Sequence, residues 1–273
     1  MKLSLTLSNK TYQVLYDQAV SIAIPLDFNG PQPNHFNVPL ASSQTVETTG
    51  FIGDTRRGGS CNVEQLSLTP HCNGTHTECV GHILDKRISV ANTIKECFIP
   101  AVVISLTPQK AGLCPDHYRP PLEATDSIID LASVVDRLAH IPDEQLAALI
   151  IRTLPNPIEK QTWMYGHNDQ PPFFSIDAMA YLLKRQVRHL LVDFPSVDKM
   201  YDEGKLTCHH RFWQIPEGKH ESSSVSHVHH SISELVFVPD EVVDGFYLLN
   251  LQIPAFKSDA APSRPVLIPL ESV

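Results

Sequence analysis

The chain has 273 residues, of which 42% are hydrophobic and 19% charged, with a formal net charge of -9. That composition is ordinary for a globular protein with a sizeable core, and an acidic chain without a Lys/Arg run excludes a nucleic-acid footprint. No apolar stretch reaches the length that crosses a bilayer, so a small molecule is the expected partner, not nucleic acid or a membrane.

The N-terminal "MKLSLTLSNKTYQVLY" alternates polar and apolar residues across Asn9-Lys10, the pattern of a β-hairpin and not of a signal peptide. The cytoplasm is the expected compartment. Proline-rich stretches ("PLDFNGPQPNHFNVP", "CPDHYRPPLE", "AAPSRPVLIP") mark connections. Strands are expected at "EQLSLTP", "PAVVISL", "AALIIRTL", "RHLLVDF", "SELVFVP" and "YLLNLQI", several of them apolar on both faces, as in sheets covered from two sides. Two helices are expected. "SIIDLASVVDRLAHI" aligns Ile129, Val134 or Val135, Leu138 and Ile141, with Asp126 or Ser127 as cap, and "SIDAMAYLLKRQV" is capped by Ser175. This order is that of a mixed α/β domain with an antiparallel component, and no break in composition divides residues 1–273. The six cysteines (61, 72, 79, 97, 114, 208) lack paired spacing and are expected to be reduced thiols.

Residues 71–82, "HCNGTHTECVGH", concentrate the chemistry. Gly74 permits a tight turn, and Thr75 can cap a helical turn after it. On a turn leading into a helix, Cys72 and His76, then Glu78 and His82, share a face by their spacing of four. Imidazole, carboxylate and thiolate are the usual zinc ligands. Far along the chain, Glu234 stands in the apolar run "SISELVFVP", with Ile232, Val236 and Val238 on its own face. A buried carboxylate there costs several kcal/mol unless a cation answers it, either a metal or an arginine such as Arg152. In "KLTCHHRFW", adjacent His209 and His210 point apart on an extended segment, so one of them at most reaches a shared centre. His220, His227, His229 and His230 lie in a serine-rich stretch expected to be a solvated loop.

"CNGTHTECVGH" resembles the His-x-Gly-Thr-His-x-Asp-x-Pro-x-His signature of the cyclase family, which includes bacterial kynurenine formamidase and isatin hydrolase. "SIAIPL", "ALIIRT", "LLVDFPSVD", "HHRFW" and "SELVFVP" agree with the family's order of motifs. The resemblance implies a swivelling β/β/α fold, a homodimer and a metal-dependent amide hydrolase that uses metal-bound hydroxide on an N-formyl or cyclic amide. It implies Cys72, His76, Glu78, His209 and Glu234 as metal ligands and His82 as the acid/base. Its metal is one or two Zn2+ ions, with Mn2+ possible. Three residues depart from the signature: Cys72 for His, Glu78 for Asp and Val80 for Pro. A thiolate favours zinc over manganese. His71 is the alternative first ligand, and His210 the alternative to His209. Phe28 and Phe36, with Trp163 and Tyr165, are candidates for a substrate wall, and Asp193 and Asp198 for orienting ligands from behind. A hydrolase or cyclase of another small cyclic amide or lactone, or a non-catalytic metal-binding descendant, are the alternatives.

Overall fold

A computed structural model describes residues 2–273. Eleven strands form one sheet: β1 (Ser4–Leu7), β2 (Lys10–Val14), β3 (Val20–Ser21), β4 (His76–Cys79), β5 (Ile99–Leu106), β6 (Ala148–Thr153), β7 (His189–Val192), β8 (Ser231–Glu234), β9 (Gly245–Gln252), β10 (Ala260–Pro262) and β11 (Arg264–Ser272). Their spatial order is β1-β2-β11-β9-β5-β6-β7-β8-β4-β10, with β3 also on β11. The central β5, β6, β7 and β8 are parallel, and antiparallel strands flank them on both sides.

The central strands are apolar on both faces because both faces are covered. Val102, Ile104, Leu149, Ile151, Leu190 and Ile232 pack on the helical side, where α1 (Leu131–Leu138) and α2 (Ile176–Lys184) cross between parallel strands. Ala101, Val103, Ala148, Ile150 and Leu191 face the opposite way, against Ile22, Val236, Val238 and Leu267. Ser175 caps α2 through Ala178 N–H (3.0 Å), as expected, but α1 is capped by Asp130. Ser127–Ile129 is a short strand, so Asp126 and Ser127 stand before the helix and not at its cap. Val134 is the buried member of its pair, while Val135 is exposed.

Glu64–Ser67, the expected strand before the signature, pairs only with Ser42–Thr45 in a separate exposed hairpin. All six cysteines are free. Among the described residues no helix is long and apolar enough to cross a membrane.

Candidate metal centre

The signature enters a strand, not the expected helix. Gly74 takes φ +102°, and β4 begins two residues later. His76 and Glu78 share a face through the two-residue strand period, and a 3-10 turn, Val80–Ile83, brings His82 back toward them. The Thr75 hydroxyl caps no helix. It accepts from Ile24 N–H (2.8 Å) and donates to the Leu235 carbonyl, tying three distant segments together.

Strand β8 lies antiparallel to β4 with Glu234 opposite His76 and Ile232 opposite Glu78, so both carboxylates project from one face. Glu234 is the last residue of its strand. Leu235 adopts φ +53°, which sends Val236 and Val238 to the other core layer while Ile232 stays on the helical side. The expected shared face of Glu234, Val236 and Val238 is therefore broken at Leu235. His209 and His210 sit on helix α3 (Thr207–Trp213), not on an extended segment. His209 faces the centre, whereas His210 Nδ1 lies 3.2 Å from the Ile215 carbonyl.

The geometry is specific. His76 Nδ1–H donates to Gly74 O (3.0 Å), leaving Nε2 3.3 Å from Glu234 Oε2 without hydrogen-bonding alignment. His209 Nε2 lies 2.9 Å from Glu78 Oε1, and its Nδ1 lies 2.5 Å from Asp198 Oδ2. Glu78 Oε2 is 3.5 Å from His71 Nε2 and 3.9 Å from His82 Nε2. Val197 N–H donates to Glu234 Oε1 (2.9 Å). Burial by itself raises the Glu78 carboxyl, but the imidazoles of His82 and His209 outweigh it and hold the group well below the usual carboxylate range. Burial likewise opposes charge on His209, and Glu78 and Asp198 reverse this, lifting it well above an ordinary histidine.

Three groups of side chains bring potential ligand atoms within 4.8 Å of one another: His76, Glu78 and Glu234; Glu78, His82 and His209; and His71, His82 and Asp259. Glu78 belongs to two of them. The residues fit a divalent metal. The buried Nε2 of His76 has no hydrogen-bond partner, the donors are imidazole and carboxylate, and His209 carries the carboxylate behind its ring that metal-bound histidines have. Cys72 is in none of the three groups, whereas its neighbour His71 is. Burial and the nearby Glu234 push the Cys72 thiol up to about 11.

Arg152 does not answer Glu234. Its guanidinium binds Asp244 (3.1 Å), Ser105 Oγ (2.7 Å) and the carbonyls of Pro239 and Val242. Asp198 supports His209, but Asp193 instead holds Lys160 Nζ (2.8 Å) and the Thr153 hydroxyl (2.8 Å). Tyr165 is core, packed with Ile24, Leu235 and Phe237, and Trp163 stacks on it at 5.9 Å. Phe36 is half exposed between His35 (3.9 Å) and Tyr201 (6.3 Å), and His35 N–H donates to the Cys72 carbonyl (3.2 Å), which ties that loop to the signature turn. Phe28 is half-buried and forms no aromatic pair among the described residues. The expected solvated histidine loop is partly packed: the His227 and His230 rings lie tilted against each other at 4.2 Å, and His220 Nδ1 lies 2.8 Å from Ile83 O. Asp259, in a proline-bounded connection without periodicity, carried no signal in the sequence.

The fold has known counterparts. A kynurenine formamidase of Bacillus cytotoxicus is 29% identical over 216 residues, covering 78% of this chain and 83% of that protein. An isatin hydrolase solved with the product analogue thioisatinate superposes with a TM-score of 0.62 at 13% identity, covering 92% of each chain. A predicted metal-dependent hydrolase from Bacillus stearothermophilus gives 0.57 at 17% identity, over 92% of this chain and 98% of that one. The family model described as putative cyclase matches residues 1–199, and the chain belongs to that cyclase family.

Proposed function

We propose that this protein is a metal-dependent amide hydrolase of the arylformamidase kind, acting on the C–N bond of an N-formyl aryl amine. One observation carries the reading. Glu78 and Glu234 are buried side by side, and among the described residues the only side chains paired with them are imidazoles. Two carboxylates stripped of water and set side by side repel each other at a cost of several kcal/mol, and a divalent metal held together with the imidazoles would answer both. The similarity to a kynurenine formamidase supports the choice of substrate class.

His76, Glu78, His209 and Glu234 would hold one or two Zn2+ ions. When bound, the metal supplies an activated water and polarises the scissile carbonyl. The chain's residues supply the rest. Asp198 and Gly74 O fix the rings of His209 and His76, so their free Nε2 atoms converge on the carboxylates. His82, a quarter exposed at the rim, carries the proton that the leaving nitrogen requires at Nε2. Phe36, on the loop tied to the signature turn through His35 and Cys72, packs edge-on against Tyr201 and would offer an aryl ring a wall.

The test combines metal analysis with turnover. Purified protein is expected to contain zinc, to lose both metal and N-formylkynurenine hydrolysis to a chelator, and to regain both with Zn2+. Isatin, a cyclic amide, serves as the competing substrate. Full turnover by metal-free protein refutes the reading.

A further inference from the structure

We propose that Asp259 is a positioning residue for proton delivery: its Oδ2 fixes the imidazole of His82 and clamps His71 against it. This rests on the hydrolase reading for its chemistry, though not for its geometry.

His82 needs such a partner. It sits on a 3-10 turn with its side chain 27% exposed, where an imidazole would otherwise sample several rotamers. Asp259 Oδ2 lies 3.4 Å from His82 Nδ1 and 3.0 Å from His71 Nε2. The two rings stack at 4.4 Å with 28° between their planes. Held between a carboxylate at one edge and a ring on one face, His82 directs Nε2 toward Glu78 Oε2, 3.9 Å away.

The carboxylate can hold this position because its backbone is locked. Cys79 N–H donates to Asp259 O (3.0 Å), and Val90 N–H donates to Ser258 O (2.8 Å). Immediately afterwards, Ala260 in β10 pairs with Glu78 in β4, and Ser263 N–H donates to Thr75 O (3.1 Å). The segment is thus bolted to the strand that carries the signature, and Asp259 is presented from the sheet's edge.

The consequence is chemical. A carboxylate on Nδ1–H selects the tautomer in which Nε2 exchanges the catalytic proton. As water adds to the acyl carbon, a C–O bond forms, the C–N bond breaks and its electron pair stays on nitrogen. The proton on His82 Nε2 passes to that nitrogen, and the proton released by the attacking water returns to Nε2. Asp259 stays beside Nδ1 throughout and touches no reacting atom.

The test uses zinc-loaded full-length protein and the variants Asp259→Asn, Asp259→Ala and Asp259→Glu. Asn and Ala are expected to lower kcat by about tenfold or more while KM, zinc content and melting temperature hold, and Glu to recover part of the loss. In the absence of substrate, an imidazole N–H resonance identified by its loss in His82→Ala should vanish in Asp259→Ala. Zinc lost in step with kcat would make Asp259 a ligand and overturn the proposal, as would a rise in KM alone or an unchanged kcat. Should the wild type hydrolyse no amide, the hydrolase reading fails by itself. The resonance then still decides: dependence on Asp259 upholds the pair, and persistence in Asp259→Ala or absence from the wild type refutes it.

Discussion

Asp198 is the residue on which the distant half of the centre depends. Its Oδ1 accepts from Tyr118 O–H (2.7 Å) and Cys208 N–H (2.6 Å), and its Oδ2 from His209 N–H (3.1 Å) and His209 Nδ1–H (2.5 Å). In Asp198→Asn one oxygen becomes an NH2 that faces donors. Whichever side it takes, a main-chain N–H of α3 and one side-chain donor lose their acceptor in the interior. Hydrogen bonds to a charged group contribute about 1.5–3 kcal/mol each, and relief from burying the charge returns part of the loss, so a net destabilisation of about 3 kcal/mol is expected. That is a large share of the roughly 5–15 kcal/mol that holds a typical domain together. Urea unfolding of the metal-free protein reads this term. A competitive chelator titration reads the second consequence, a fall in zinc affinity of about 10–100-fold as His209 loses its support. Tyr118→Phe, which removes one donor to Asp198 and the acceptor of Lys199 N–H but leaves the charge, should cost about 2–3 kcal/mol and spare zinc affinity. A stability within 1 kcal/mol of wild type for Asp198→Asn, with zinc binding intact, would show that the carboxylate does not organise α3.

Two further outcomes are expected. Arg152→Ala takes the donor from the Pro239 and Val242 carbonyls, while the exposed Asp244 keeps its bonds from Ser105, costing about 1–3 kcal/mol in denaturant, yet should leave zinc content unchanged; parallel loss of zinc would return Arg152 to the centre. His189 is buried beside Arg188, with Nδ1 on Ser231 Oγ (2.8 Å), and burial lowers its pKa from 6.5 to about 4. Between those values the unfolded chain binds a proton that the folded chain refuses. Stability contributed by this residue is therefore complete above pH 6.5 and declines as pH falls toward 4, by up to about 3 kcal/mol at about 1.4 kcal/mol per pKa unit. Urea midpoints measured across that window should slope less in His189→Gln than in wild type, and equal slopes would refute the assignment.

Much of the centre is legible one residue at a time. His76, Glu78 and His82 are marked by their packing around Gly-Thr, and Glu234 by its incongruity among apolar neighbours; all four meet in the structure. The continuous apolar runs at 101–106, 148–153 and 189–192 announce strands covered on both faces, because periodicity is a local record of burial. Spacing misled where two geometries satisfy the same pattern. A separation of four suits a helix, but a strand leading into a tight turn also returns His82 to Glu78, and only the hydrogen bonds of β4 to β8 and β10 decide between them.

What the chain encoded locally was the kind of chemistry: nitrogen and carboxylate donors on a sharp turn, and an acidic group that an apolar strand cannot tolerate alone. What only the tertiary structure decided was the membership of the centre. It set His209 on Glu78 across 131 residues of sequence, gave Arg152 to Asp244, grouped His71 and not Cys72 with other potential ligand atoms, and delivered Asp259 from the sheet's edge. Such pairings depend on strand order and register, which arise from how distant segments pack and leave no periodic trace in any one of them.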